Sequence, residues 1–459
     1  MKYLSFACIL MSLFLAPRPS SGAEDPVKPA GSDTGLSLAA AVDIAMRRNP
    51  LIQAAASGRK IADSRLEEAR AGRWPLIQFT ETFTRGNNPV FVFGSLLEQG
   101  RFGPQNFTIG SLNNPDPLNN FRTAVHLKVP LFDQLESGSR IAQAQMGREE
   151  ASRQLEVVGQ QVRFEVIRAY YGILVAQNRK EVAAEAIKMA EADRNRARDL
   201  FETGAVVRSD LLSSEVQLSE LHQQHVQSGG ELVTARAYLN AALGIPVEPF
   251  QILESRLGER DFGVPDQEEL ARQALRHRPD YLRVGAALRS AEEKVRGAWG
   301  QYLPRIDLFS TYGISGRDLS NGDSDYILGA GLTYNLFDRP RPARLDQVRA
   351  AYLQARAEQE QLANRIRLEV VQALQQYLSA RENLHLTTQS VEQAREALRI
   401  IQDRYREGLT IITEVLRAQT TLVRAQLSHL AARYDYTVGY ANVLAVSGQL
   451  ADVSPFAAE

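Results

Sequence analysis

At 459 residues the chain is long enough for two or three ordinary domains, so core burial does not limit it. A composition that is 44% hydrophobic and 23% charged excludes a disordered chain. The 53 basic and 54 acidic residues leave a net charge of -1, and no basic block interleaved with aromatics occurs, so no nucleic-acid partner is expected.

Residues 1–23 have the pattern of a signal peptide. Lys2 is basic, Leu4 to Leu15 is apolar, and Ser21-Gly22-Ala23 offers a small-x-small cleavage site before Glu24. The single cysteine, Cys8, lies inside the apolar stretch, and the preceding Ser5-Phe6-Ala7 comes too early for a lipoprotein site. No lipid anchor is expected, and the mature chain would carry neither disulfides nor thiolate sites. No later run of about 18 apolar residues follows, so no transmembrane helix is predicted. An exported chain of this kind is soluble in the periplasm, secreted, or a β-barrel.

The chain is duplicated. Ala45-Met46-Arg47-Arg48-Asn49-Pro50 aligns with Ala274-Leu275-Arg276-His277-Arg278-Pro279, and Trp74-Pro75-Leu76-Ile77 with Leu303-Pro304-Arg305-Ile306. Pro130-Leu131-Phe132-Asp133 then matches Asn335-Leu336-Phe337-Asp338, Val162-Arg163-Phe164-Glu165-Val166 matches Ile366-Arg367-Leu368-Glu369-Val370, and Phe201-Glu202-Thr203-Gly204 matches Tyr405-Arg406-Glu407-Gly408. This gives a first repeat over 24–243, a linker over 244–265, a second repeat over 266–447 and a tail over 448–459. Each repeat reads helix, strand, strand, very long helix, turn, helix. Asn49-Pro50 supplies an N-cap and a first-turn proline, and Pro75 and Pro304 end the helices before the strands. The first repeat carries an extra stretch, about 85–120, whose Gly, Asn and Pro read as loop.

Strands are expected within about 76–132 and about 305–337, where the hydrophobic period becomes two. Phe121, Thr123, Val125, Leu127, Val129 and Leu131 share one face, with Arg122, Ala124, His126 and Lys128 opposite. Tyr326, Leu328, Ala330, Leu332, Tyr334 and Leu336 form a second such face. Ile77, Phe79 and Phe83 begin a third, interrupted by Glu81, and a weaker strand runs near 306–315. Two-faced strands of about 10 residues suit a membrane barrel. Any one of them also suits a soluble sheet. Four strands cannot close, however, and open edges in lipid leave backbone groups unpaired, so sister subunits must complete the cylinder. Two copies give eight strands, a filled interior; three give twelve, with room for solute.

Proline-free, helix-rich segments run from about Ser137 to Phe201 and from about Pro342 to Tyr405, each roughly 60 residues and about 90 Å as helix. The second carries a heptad seam of Ile366, Val370, Ala373, Tyr377, Ala380, Leu384, Thr387, Val391, Ala394, Leu398, Ile401 and Tyr405. A looser seam runs through the first long helix from Ala151 to Ala176, and return helices are expected from about Ser209 to Leu243 and Thr413 to Val446. At the tips, Gly204 and Gly408 suit left-handed caps, and Ser209 and Thr413 read as N-cap hydroxyls. Asp210 and Glu414 follow at the positive helix end, where each contributes about 0.3–1 kcal/mol; in a symmetric oligomer they would also gather as an acidic ring. The tip residues Ala205, Val206, Val207, Leu409, Ile411 and Ile412 have no core of their own nearby and read as a docking surface.

Arg404-Tyr405-Arg406-Glu407-Gly408-Leu409 followed by Glu414-Val415-Leu416-Arg417-Ala418-Gln419, with the sister copy Leu200-Phe201-Glu202-Thr203-Gly204 and Asp210-Leu211-Leu212, resembles the TolC family of outer-membrane efflux proteins. The resemblance covers nearly all of the mature chain. It implies a mainly α fold with long antiparallel coiled-coil helices and four strands per subunit in a shared twelve-stranded barrel. It further implies a homotrimer in the outer membrane of a Gram-negative cell, with a periplasmic adaptor protein docked on the tips and an inner-membrane pump beyond it. Tyr405, Asp210 and Glu414 fall where the family places closing contacts and an acidic constriction. Thr410 and Arg417 depart from the best-known member, which has a locking arginine and a second ring aspartate there, so a single acidic ring based on Glu414 is expected. No cofactor is implied.

No Ser/His/Asp cluster, phosphate loop or Cys/His motif supports an enzyme, and His222 and His225, three apart on a helix, read as solvated residues before they read as a metal site. A periplasmic coiled-coil scaffold or adaptor shares the helical seams, and periodicity alone does not reject it. Release by osmotic shock would favour it, and heat-modifiable migration with detergent-dependent extraction from outer membranes would favour the channel.

Overall fold

The computed structural model describes residues 35–248, 253, 261–451 and 453–456. The signal-peptide expectation and Cys8 lie outside the described residues, as do much of the 244–265 linker and parts of the tail. In chain order the elements are α1 (Leu38–Arg48), α2 (Pro50–Ala71), β1 (Leu76–Gly86), α3 (Pro89–Glu98), α4 (Ile109–Asn113), β2 (Leu118–Asp133), α5 (Glu136–Glu202) and α6 (Arg208–Leu243). The second half gives α7 (Gln267–His277), α8 (Pro279–Gly300), β3 (Arg305–Gly316), β4 (Gly322–Thr333), α9 (Pro340–Arg406) and α10 (Ile412–Val446). The chain divides into two units, one containing all four strands and one containing most of the helical length.

In the strand unit, β1 to β4 form one antiparallel sheet in sequence order. Pairing register sorts its side chains into two faces. One carries rows such as Phe79–Val125–Tyr312–Tyr326 and Ile77–Leu127–Ser310–Leu328. Its large apolar side chains are exposed, with Phe79 at 65%, Tyr326 at 78% and Leu328 at 67%. Glu81, the misfit on this face, accepts a 2.5 Å hydrogen bond from the Thr123 hydroxyl. The opposite face is polar: His126 bridges the hydroxyls of Thr80 and Thr311 at 3.0 Å each, and Arg122 forks onto Asp325 at 2.9 Å. Pro130, which has no N–H to donate, marks the register shift between β2 and β3. The outer edges, β1 and β4, pair with nothing among the described residues.

Two expectations need correction here. The fourth strand ends at Thr333, leaving Tyr334 and Leu336 beyond the sheet. The stretch expected to be loop contains helix α3, capped by the Asn88 side chain on the N–H groups of Val90 and Phe91, with Pro89 in the first turn. Asn88-Pro89 repeats the cap-and-proline pair of Asn49-Pro50, set in a composition dominated by Gly and Asn.

In the helical unit, the seam on α9 is the face it buries: Ile366 and Tyr377 are fully buried, as nearly are Val370, Ala373, Leu398 and Tyr405. Ile366, Val370, Ala373 and Tyr377 pack with Val162, Val166 and Ile173 of α5, and with Tyr436 and Ala441 of α10, in a core that also takes in α1, α6 and α7. Leu398 and Tyr405 belong to a separate cluster near the tip. Asn49 caps α2 through the Leu51 N–H at 2.8 Å and donates to the Ala242 carbonyl at 2.8 Å. Its repeat mate Arg278 reaches the matching Val446 carbonyl at 3.5 Å. The duplication is therefore carried in contacts as well as in residues.

Candidate functional site at the hairpin tips

Both hairpins turn by the same device. Gly204 and Gly408 lie at φ 73° and 72°. Their N–H groups donate to Phe201 and Tyr405, while the next N–H, of Ala205 or Leu409, reaches back to Leu200 or Arg404 at 2.8 Å. This paired pattern closes the last helical carbonyls and requires a residue tolerant of the left-handed region.

The return helices start two residues earlier than Ser209 and Thr413 would allow as caps. The capping positions are Val207 and Ile411, in extended conformation, with no side-chain hydrogen bond. Their carbonyls accept from the N–H of Asp210 and Glu414, so these acids sit at the third helical position. Nearby amides and the helix dipole favour negative charge there, which the two hydroxyls leave to the acids.

Among the expected docking residues, Ala205, Val207, Gly408, Leu409 and Ile411 are exposed, Gly204 likewise, and Val206 is half-buried. Ile412 is not a surface residue. It is fully buried with Tyr405, Leu398, Val415, Leu416 and Leu422, because its first-turn position points it back into the hairpin's own core. Tyr405 lies 6% exposed in that core, and its hydroxyl has no hydrogen-bond partner among the described residues. Burial, reinforced by the negative charges of Asp210 and Asp193, pushes the Tyr405 phenol up. Tyr405 and Asp210 are thus brought within electrostatic reach. Glu414 instead pairs along its own helix with Arg417, at 3.4 Å, with both side chains partly in solvent.

The sequence reading missed Asp193 and Gln419. Both are buried, and the Gln419 amide donates to the Asp193 carboxylate across the two hairpins. Burial raises the Asp193 carboxyl above its usual range, against the Gln419 hydrogen bond and the charges of Arg196 and Arg406. The available signal was periodic: Ala183, Ala186, Ala190, Asp193 and Ala197 continue the α5 seam, and all are buried. His222 and His225 join no larger group; among the described residues no three His, Cys, Asp or Glu side chains are placed to hold a metal ion.

The outer membrane efflux protein family matches residues 41–245 and 270–449. The pyoverdine export outer membrane protein OpmQ of Pseudomonas putida is 29% identical over 48% of this chain, a match spanning 46% of OpmQ's length. Protein CyaE of Bordetella pertussis is 24% identical, covering 92% of this chain and 86% of that one. The CmeC outer membrane channel of Campylobacter jejuni superposes with a TM-score of 0.78 at 16% identity, over 95% of this chain and 93% of that one. With both sequence repeats matched and the strand-and-tunnel fold shared, the chain belongs to the outer membrane efflux protein family.

Proposed function

We propose that this chain, a TolC-like outer-membrane export tunnel subunit working with a periplasmic adaptor and an inner-membrane pump, closes its tunnel at the tips through Tyr405, Asp210 and Glu414. The observation that carries the reading is the sheet. Its exposed face is apolar, its other face is polar, and its two outer edges offer unpaired backbone. In lipid each unpaired group costs several kcal/mol, so a lone sheet is not viable and three copies complete a barrel. The same threefold axis gathers the six hairpin tips. The exposed Ala205, Val207, Leu409 and Ile411 give the adaptor an apolar landing surface, and Glu414 supplies one acidic ring.

The test is conductance in planar bilayers with protein extracted from outer membranes as a heat-modifiable trimer. Glu414→Ala is expected to lower cation preference, and Tyr405→Phe to leave that preference intact. Unchanged selectivity in Glu414→Ala removes the ring assignment. A monomer released by osmotic shock removes the tunnel reading itself.

A further inference from the structure

Helix α3 follows β1 and lies against β2, β3 and β4 at the end of the sheet remote from α5 and α9. It lies on the polar face. Glu98 meets Arg122 at 3.2 Å and accepts from the Ser315 hydroxyl at 3.3 Å. Gln99 donates to the Asn119 carbonyl and the Asn120 side chain, at 2.9 Å each. Gln99, Asn120 and Ser315 are buried, while Glu98 and Arg122 keep part of their side chains in solvent. Since the apolar face meets lipid, the polar face lines the lumen, and α3 is held inside the cylinder.

Its other side is left largely uncovered among the described residues, Phe93 alone meeting the Phe102 ring. Val90, Phe93 and Leu97, spaced three and four apart, are exposed at 80%, 38% and 53%. They stand opposite the buried Val92, Ser95 and Gln99. Phe107 and Ile109 add 67% and 79% exposure, and Phe93, Phe102 and Phe107 contact edge-on at 4.8 and 5.0 Å. An apolar ridge of this size facing a water-filled lumen needs a cover.

We infer that the cover is the same ridge of the two sister copies, so that three α3 lids meet on the axis and plug the outer mouth of the barrel. This rests on the trimeric tunnel reading and adds a surface to it. Dimensions support the occupant. Twelve strands about 4.8 Å apart and tilted about 40° close at a backbone radius of about 12 Å. Three helices about 10 Å wide, packed side by side, need a circle about 22 Å across, which nearly fills that opening. Three lids clamped to the wall cannot avoid one another.

The sequence has one cysteine, Cys8, and a Cys8→Ser background makes the test clean. Phe93→Cys, oxidised in outer membranes, is expected to give a disulfide-linked dimer of this chain, while Tyr326→Cys on the outer face does not. In intact cells, Gln78→Cys on the lumen face should react severalfold faster with a bulky polyethylene glycol maleimide once residues 87–117 are replaced by a short turn. Leu97→Asp, which leaves the clamp in place, should raise the rate in the same direction. A heat-modifiable trimer that gives no Phe93→Cys dimer and no change in labelling overturns the plug and leaves the tunnel standing. A Phe93→Cys adduct to another protein overturns it too, and absence of any trimer overturns both.

Discussion

Replacing Asp193 with asparagine should tighten the packed hairpins at neutral pH. Asp193 is 5% exposed and Gln419 3%. The Gln419 Nε2 donates to the carboxylate, but Gln419 Oε1 is buried without a partner among the described residues. An ionised carboxylate only accepts, so it cannot answer that oxygen; a protonated one can, and so can an asparagine Nδ2. The raised Asp193 carboxyl has the same origin, since the fold favours the uncharged form. For a group raised in the folded state, the stability contribution is full below the ordinary carboxylate range and is lost as pH climbs through the raised value. Tip packing is therefore expected to be firmest in acid and to loosen toward neutrality.

The magnitude follows from the orphan acceptor. Satisfying it is worth about 1–3 kcal/mol. Against this, Asp193→Asn gives up attraction to Arg196 and Arg406, which are exposed, a loss of at most about 1 kcal/mol. The net gain of about 1–2 kcal/mol corresponds to roughly a tenfold fall in the opening equilibrium. Hydrogen exchange of the α10 amides over 412–422, corrected for intrinsic rates at pH 5 and pH 8, reads that equilibrium directly. The wild type should gain protection at pH 5, and the variant should be protected at both. Faster exchange in the variant at pH 8 would refute the reasoning, as would wild-type protection that ignores pH.

Other outcomes follow from single sites. Gly204 and Gly244 share a left-handed φ, but a Cβ on Gly204 meets open space, while one on Gly244 would lie 2.6 Å from the Asn49 Cα. Gly204→Ala should cost only about 1–2 kcal/mol in thermal or denaturant unfolding. Gly244→Ala should cost distinctly more, because backbone cannot swing aside. Arg417→Ala frees Glu414 from its 3.4 Å partner and should raise cation preference in bilayers, an effect that fades at high salt. Arg278 holds Asp280 at 2.7 Å and Glu369 at 2.5 Å with its side chain 12% exposed. Its truncation to Ala should lower stability by about 2–3 kcal/mol in a melt, less than for a sealed pair because both acids keep some solvent contact.

What was legible in the sequence was periodicity within one segment. The alternation from Phe121 to Leu131 and the seam from Ile366 to Tyr405 each state which side a segment buries, and the duplication repeats the statement. A period does not say which segments meet. Asp193 and Gln419 each sit on a seam position, and only their encounter across two hairpins turns two polar interruptions into a titrating contact. The helix in the stretch from 85 to 120 failed for a related reason. Its caps are readable at Asn88-Pro89, but its buried side packs on the sheet and its other apolar side, Val90, Phe93 and Leu97, stays exposed, so neither matches a helical core.

The same reasoning explains why the best-read and worst-read parts of the chain differ so much. Ile366 or Val166 can be satisfied inside one subunit, so the pattern that buries them is complete in one sequence. The edges of β1 and β4, the exposed Leu409 and Ile411, and the α3 ridge find no such cover among the described residues of one subunit. Each therefore looks like a fault when one chain is read alone: an unpaired strand, an apolar tip, an oily lid in a polar lumen. A soluble scaffold would have no reason to keep all three faults at once, since each raises its tendency to aggregate. A subunit whose barrel, tip and mouth are each finished by copies or partners must keep them, and they fall at those three places.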